Sequence, residues 1–296
     1  MSRNILELVR ARTVLLDGAM GTELMARGLP QGVCPELWNA ERPEVVKGIH
    51  RDYFAAGADV VSTNSFGGSR TKLAAHGFEP RVSELNRAAA RLAREAAPAG
   101  KYVAGSMGPT GKFLRPQGEF SEAQFEAVFA EQAEALSEGG ADVLLIETQY
   151  DLREALCALR GARRASALPV FVTMTFNAFP RGYFTLMGDS VARCLQALEK
   201  DGAKAVGANC TLNSEAMAGL VKAMRPETRL PLIAQANAGQ PVLGRDGGVT
   251  YSQGLEDYLR FVPDIIRAGA NLIGGCCGTS PSFIKAMAES LERSPG

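Results

Sequence analysis

Four short stretches of the chain share one pattern of apolar and polar positions: Gly57-Ala58-Asp59-Val60-Val61, Gly140-Ala141-Asp142-Val143-Leu144, Gly202-Ala203-Lys204-Ala205-Val206 and Gly269-Ala270-Asn271-Leu272-Ile273. In each, an amphipathic helical period runs up to a Gly-Ala pair, where a cap glycine ends the helix, and a short apolar run follows at once. Four further apolar runs fall between them: Val14-Leu15-Leu16, Tyr102-Val103-Ala104, Val170-Phe171-Val172-Thr173-Met174 and Leu232-Ile233-Ala234. Helical spacing separates these runs, for example from Gln124 to Ser137, with Phe125, Val128, Phe129, Ala133 and Leu136 on one face, and from Val191 to Leu198. Strands buried on both faces read as continuous apolar runs, so eight strand-helix units predict an α/β fold: a parallel (β/α)8 TIM barrel forming one domain over residues 1–296.

Connection lengths agree with a barrel. Helix-to-strand links are as short as Gly-Ala or Leu-Pro, whereas long strand-to-helix links run from Gly18 to Arg42, Gly105 to Ser121, Asn177 to Asp189 and Asn237 to Gln253. The face carrying those long loops is where such barrels place chemistry. An open doubly wound sheet is the alternative, but it calls for a phosphate-binding turn after the first strand. Asp17-Gly18-Ala19-Met20-Gly21-Thr22 has two glycines and lacks the spaced trio.

Composition narrows the function class. Basic and acidic residues balance at 32 each, which gives no basic surface for nucleic acid and none for anionic membrane. The amino-terminal Met1 to Leu8 lacks the apolar core of a signal peptide, and no window approaches the roughly 18 apolar residues of a membrane helix. The chain reads as cytoplasmic. In a reducing compartment, its six cysteines, at 34, 157, 194, 210, 276 and 277, argue for metal or catalytic use over a disulfide framework.

Taking the residues at the end of each strand yields Asp17, Thr63-Asn64, Ser106, Glu147, Thr175, Asn209-Cys210, Asn237 and Cys276-Cys277, all expected on one rim. Cys276 and Cys277 stand between Gly274-Gly275 and Gly278-Thr279-Ser280-Pro281, a strand-to-helix turn whose helix opens on proline. The positive end of that helix favours thiolate there. Cys210 ends a second small-residue strand. Three thiolates and one open position form the donor set of a catalytic zinc, since structural zinc sites close with four protein ligands. Cys210 alone would read as a packing residue; its pairing with Cys276-Cys277 favours a metal. Cys157 and Cys194 lie on helical patterns and read as packing, and neither His50 nor His76 has a ligand-like neighbour. Rim carboxylates such as Asp17 and Glu147 suit an ammonium group, and Glu147 follows the buried run Val143-Leu144-Leu145-Ile146, where an unpaired charge is costly.

With these residues together, the chain resembles the homocysteine S-methyltransferase family, which includes the homocysteine domain of cobalamin-dependent methionine synthase, betaine-homocysteine methyltransferase and the S-methylmethionine enzymes. The resemblance runs from Val14 to the last helix and rests on Leu16-Asp17-Gly18-Ala19-Met20-Gly21-Thr22, Thr63-Asn64-Ser65-Phe66, Ser106-Met107-Gly108-Pro109, Gly207-Ala208-Asn209-Cys210, Asn237-Ala238-Gly239 and Gly274-Gly275-Cys276-Cys277-Gly278-Thr279. It implies a methyltransferase with Zn2+ held by Cys210, Cys276 and Cys277, and homocysteine thiolate as the fourth ligand. Asn237 is similar to a residue that occupies that position when substrate is absent, and Asp17 and Glu147 match acidic positions facing the amino acid's polar end. Thr63 and Ser106 fall in motifs of the same rim. Two departures loosen the subfamily: Ser62 stands where the methionine synthase motif often has Glu, and Ala236 where it has Pro. Neither histidine lies in an Asp-x-His-x-x-Gly cobalamin loop and eight strand-helix units use the length, so a corrinoid would be carried by a partner protein. Thr63-Asn64-Ser65-Phe66 and Asn237-Ala238-Gly239 resemble the methionine synthase branch, and the resemblance therefore leans to a methyl-corrinoid on such a partner as donor. Betaine or S-methylmethionine as direct donor is the alternative. A non-catalytic zinc-thiolate redox or binding protein is the reading from another class; it would be expected to close the site with a fourth strong ligand.

Overall fold

All four repeat glycines take the left-handed backbone that an L side chain resists: φ is 106° at Gly57, 102° at Gly140, 96° at Gly202 and 108° at Gly269. Each ends a helix, and at three of them the alanine N–H that follows reaches back five residues, as in Ala58 to Tyr53 (3.1 Å), Ala141 to Leu136 (3.2 Å) and Ala203 to Leu198 (3.1 Å). This bonding satisfies carbonyls that a helix end leaves open and turns the chain straight into the next strand. In this computed structural model the described residues are 4–243 and 249–293. Positions 1–3 and 294–296 of the expected domain, and 244–248 of the loop from Asn237 to Gln253, lie outside them.

Eight parallel strands follow in order: β1 Val14–Leu15, β2 Val60–Ser62, β3 Tyr102–Met107, β4 Val143–Gln149, β5 Val170–Met174, β6 Ala205–Asn209, β7 Leu232–Ala236 and β8 Ala270–Gly275. Each pairs with its sequence neighbours, β8 pairs back onto β1 through Val14 opposite Leu272, and a parallel bridge between Leu16 and Val60 closes the ring. The expected TIM barrel is therefore the observed fold, with every anticipated apolar run a strand. Inward-facing Val14, Leu16, Val60, Tyr102, Val143, Leu145, Phe171, Ile233 and Leu272 fill its interior, and Ile5 and Val9 of the helix Ile5–Ala11 join that core. Outside the strands, a larger apolar layer is packed by the helices.

Helix starts are set by side-chain caps. Ser121 accepts from Gln124 N–H and Gln124 answers with its own side chain, so the helix opens at Glu122 rather than Gln124. Asp151, Ser190 and Asn213 cap the helices after β4, β5 and β6. Two long loops hold more structure than their sequence suggests: the first carries an antiparallel hairpin of Asn177–Phe179 with Gly182–Phe184, the second one of Pro241–Leu243 with Val249–Tyr251. Among the described residues no helix is long and apolar enough to cross a membrane.

Candidate metal and amino-acid site

Cys210, Cys276 and Cys277 bring their sulfurs within 4.8 Å of one another at the carboxyl ends of β6 and β8, although 65 residues of chain separate Cys210 from the pair. Cys210 and Cys277 lie 3.9 Å apart, sulfur to sulfur. The backbone is bent to do this. Thr148, Cys210 and Thr211 have φ of 60°, 66° and 56°, and they are the only non-glycine residues in left-handed backbone among those described. Such a conformation costs roughly 1–3 kcal/mol per residue, so surrounding bonds must hold it. Cys210 N–H donates to Gln235 O (3.1 Å), Thr211 Oγ1 to Phe176 O (2.8 Å), and Thr148 N–H to Asn209 Oδ1 (2.8 Å).

The Cys276-Cys277 turn is built by glycine and Thr279. A Cβ on Gly275 would lie 2.1 Å from Thr279 Oγ1, which itself donates to Cys276 O at 2.7 Å; Gly278, at φ 82°, lies under the Tyr251 ring. The helix Pro281–Arg293 follows, so the thiols precede its amino end as expected. Cys277 O also accepts from Ala238 N–H (2.9 Å), which ties the Asn237 turn to the cysteine turn.

Without an ion, three adjacent thiolates would repel one another. Here the Cys276 and Cys277 thiols donate toward the Cys210 sulfur, which holds Cys210 well below the ordinary thiol range and keeps Cys276 and Cys277 above it. Asn237, buried behind Cys210, donates to the same sulfur, and its Oδ1 has no hydrogen-bond partner among the described residues. An enclosed acceptor beside three converging sulfurs is a donor set that fits a metal ion.

A cavity of about 390 Å³ opens over these groups, lined by Cys210, Cys276, Cys277, Thr63, Ser106 and Glu147 among others. Ser106 and Glu147 lie within β3 and β4 rather than just past them, because both strands run further than their apolar cores. Ser106 Oγ donates to Glu147 Oε1 at 2.5 Å, and Thr63 Oγ1 accepts from Ser106 N–H at 2.9 Å. Burial pushes the Glu147 carboxyl up to about 7, against the lowering effect of the Ser106 bond; the nearby Cys210 sulfur adds to the rise. Among the described residues no cation pairs with it.

Asp17 takes a different place. It is 1% exposed, one residue behind the lining that begins at Gly18, and its carboxylate accepts from Ser62 N–H (2.7 Å) and Ser62 Oγ (3.1 Å). Burial carries it to about 8, with Glu147 contributing. The Ser62 hydroxyl thus adds a second donor to the buried acid beside the backbone N–H, one that an ionised glutamate side chain at this position could not supply.

Several lining residues were not singled out by sequence. Glu36 accepts from Gly67 N–H (2.6 Å) and from the Cys34 thiol (3.2 Å), which accounts for Cys34: it is buried, with its thiol pushed up to about 12 by burial and by Glu36. Gln235 and Tyr251 also border the cavity. Asn209 was legible only as the residue before a cysteine, yet it bonds to four side chains from three strands' ends. Cys157 and Cys194 are buried packing residues, His76 is exposed, and His50 is buried with neither ring nitrogen bonded among the described residues and its pKa pushed down to about 3 by burial.

Comparison with known proteins gives the family. Residues 14–291 match the family model described as homocysteine S-methyltransferase. Methionine synthase from Mycobacterium tuberculosis is 33% identical over 97% of the chain, and that from Mycobacterium leprae 34% over 98%; the chain spans about a quarter of each, 25%. Among solved structures, the homocysteine methyltransferase MmuM from Escherichia coli in its metallated form superposes with a TM-score of 0.78 at 29% identity, covering 94% of this chain and 96% of that one. Its apo form gives 0.74. With the matched residues taking in every strand of the barrel and all three clustered cysteines, the chain belongs to the homocysteine S-methyltransferase family.

Proposed function

We propose that the protein transfers a methyl group to the thiolate of homocysteine, giving methionine, with zinc held by Cys210, Cys276 and Cys277. The observation that carries this reading is that three converging sulfurs and an uncompensated carboxylate, Glu147, line one cavity. A tetrahedral zinc with Zn–S near 2.3 Å sets its sulfurs about 3.8 Å apart, close to the 3.9 Å between Cys210 and Cys277. Cys210, Cys276 and Cys277 would hold the ion, which would favour the deprotonated form of a substrate thiol at neutral pH, where a free thiol is mostly protonated.

The chain's own residues do the rest. Glu147, oriented by Ser106, which Thr63 in turn positions, accepts the substrate ammonium; an incoming cation offsets the burial that raises its pKa, so it binds as carboxylate. Asp17 shapes the floor through Ser62 and acts on substrate through that contact. Asn237 stands against Cys210 as a neutral side chain for the metal's open position.

For the donor we keep the methyl-corrinoid on a partner protein. The large apolar side chains exposed among the described residues, including Phe66, Phe113, Leu186 and Leu243, all lie on segments that follow a strand, and two of them, Met25 and Phe66, line the cavity itself. Such a rim suits a protein-sized carrier better than a small onium ion. A cytoplasmic, reducing setting goes with six free cysteines. The test supplies methylcobalamin, alone and on a corrinoid protein, then betaine and S-methylmethionine, each with homocysteine and zinc-loaded protein. Turnover with corrinoid is expected; turnover with an onium donor alone would overturn the donor assignment, and turnover with none would overturn the function.

A further inference from the structure

Asn209 is fully buried and sits where the sulfur cluster meets the carboxylate. Its Oδ1 accepts from Thr148 N–H (2.8 Å) and Thr173 Oγ1 (2.8 Å), and since the backbone N–H can only donate, the amide's orientation is settled. The Nδ2 group therefore faces three acceptors: Thr148 Oγ1 at 2.7 Å, Glu147 Oε2 at 3.2 Å and Cys276 Sγ at 3.8 Å. An amide nitrogen has two hydrogens. The short bond to Thr148 uses one, and the other is shared between a carboxylate and a sulfur that is one of the three clustered.

We infer that Asn209 is a positioning residue that couples the amino-acid subsite to the thiolate set, by moving one N–H between Glu147 and Cys276. This rests on the reading above, in which Glu147 takes the substrate ammonium and Cys276 a metal. When Glu147 is free, its carboxylate is the stronger acceptor and draws the hydrogen. When an ammonium engages Glu147, the charge on Oε2 available to Asn209 falls, and the hydrogen turns to Cys276 Sγ. A hydrogen bond to a coordinating sulfur withdraws charge from it, so the metal feels a weaker donor once the amino acid is in place. No bond to a heavy atom is made or broken. The two bonds that its Oδ1 accepts, from Thr148 N–H and Thr173 Oγ1, keep the amide from swinging away. Coupling of this kind is reciprocal: what the amino acid does to the sulfur, the metal does to amino-acid affinity, by the same factor.

The test uses the full chain loaded with Co2+, whose sulfur-to-metal charge-transfer band reports the charge on the thiolates, and L-2-aminobutyrate, which has the ammonium and carboxylate of homocysteine without its sulfur. Binding is followed separately by calorimetry. The expected result is a shift of the band to shorter wavelength on adding L-2-aminobutyrate and none with butyrate, which lacks the ammonium. In Asn209→Ser, checked for fold by circular dichroism, the amino acid should bind with the band unmoved. Glu147→Gln should start at the shifted position before any ligand is added, because its carboxamide competes poorly for the hydrogen; this keeps the test sound should Asn209→Ser fail to fold. If wild-type protein binds both cobalt and L-2-aminobutyrate and the band stays still, the coupling is wrong and the proposed function stands. If it binds neither, both fall.

Discussion

The two ends of the barrel hold the same residue types in opposite electrical states. At the amino ends of the strands, Asp59 accepts from Arg12 (2.7 and 2.8 Å), Lys101 (3.0 Å) and Leu15 N–H (3.1 Å), and Asp142 accepts from Arg94 and from Val103 N–H (2.7 Å). Burial works to raise Asp59, but those bonds outweigh it and its pKa falls below the usual range. At the carboxyl ends, Asp17 and Glu147 have no such cations among the described residues and are pushed up to about 8 and 7. Volume does not distinguish the ends: a cleft of about 990 Å³ lies beside Arg12, Asp59 and Lys101, and it is the larger of the two. Its charges are already matched to one another, so it tightens the fold. The unmatched end is the one with something left to bind, which is the division of labour expected of this barrel.

Substitutions at the two ends should therefore fail in different ways. The largest effect is expected from Cys276→Ala, which should remove bound zinc and activity together while leaving the thermal unfolding of the metal-free protein nearly unchanged; elemental analysis and calorimetry read both. Full zinc retention would dismiss the three-sulfur site. Asp59→Ala should do the reverse. Taking a carboxylate from two cations and a backbone N–H is expected to cost roughly 3 kcal/mol in denaturant unfolding, with metal stoichiometry intact in the folded protein. Loss of metal without loss of stability would erase the contrast between the ends.

Glu147→Gln is a finer probe. It should weaken homocysteine binding by about 2 kcal/mol, ~30-fold in Kd, with zinc still bound. An unchanged Kd would take Glu147 out of the substrate subsite.

The smallest effect is in pH. Asp17 and Glu147 have folded pKa values above their unfolded ones, so the folded state keeps protons the unfolded state gives up. Their contribution to stability is whole below the unfolded pKa near 4 and is lost as pH rises through about 7 and 8. Asp59, lowered on folding, contributes above the unfolded pKa and loses that as pH falls through its folded value. Metal-free protein should thus lose on the order of 1 kcal/mol between neutral and mildly alkaline pH, and Asp17→Asn should lessen that slope without altering the acid limb. An identical slope in Asp17→Asn would mean that its carboxyl is ionised in the fold.

Much of the barrel was legible because its signals are local. A glycine that must take positive φ, an alanine after it and an apolar run of a few residues are all set by near neighbours, and four such units repeat. The cysteine turn was legible for the same reason, since Gly274, Gly275, Gly278 and Thr279 specify it within six residues. The hairpins after β5 and β7 carry no comparable period, and only pairing across each loop makes them strands.

What the chain determined by itself was the succession of elements and the residue types delivered to one rim. Closure of the ring decided which of them meet. It set Cys210 against Cys277, placed Asp17 behind the cavity instead of in its wall, and left-handed backbone at Thr148, Cys210 and Thr211 came with it, at positions where no glycine announces the bend. Asn209 shows the difference most directly: its side chain is an ordinary polar end to a strand until β4, β5 and β8 surround it, and then two amide hydrogens face three acceptors. Distances between side chains on different strands depend on the register and tilt of the closed barrel, which no local stretch of sequence contains.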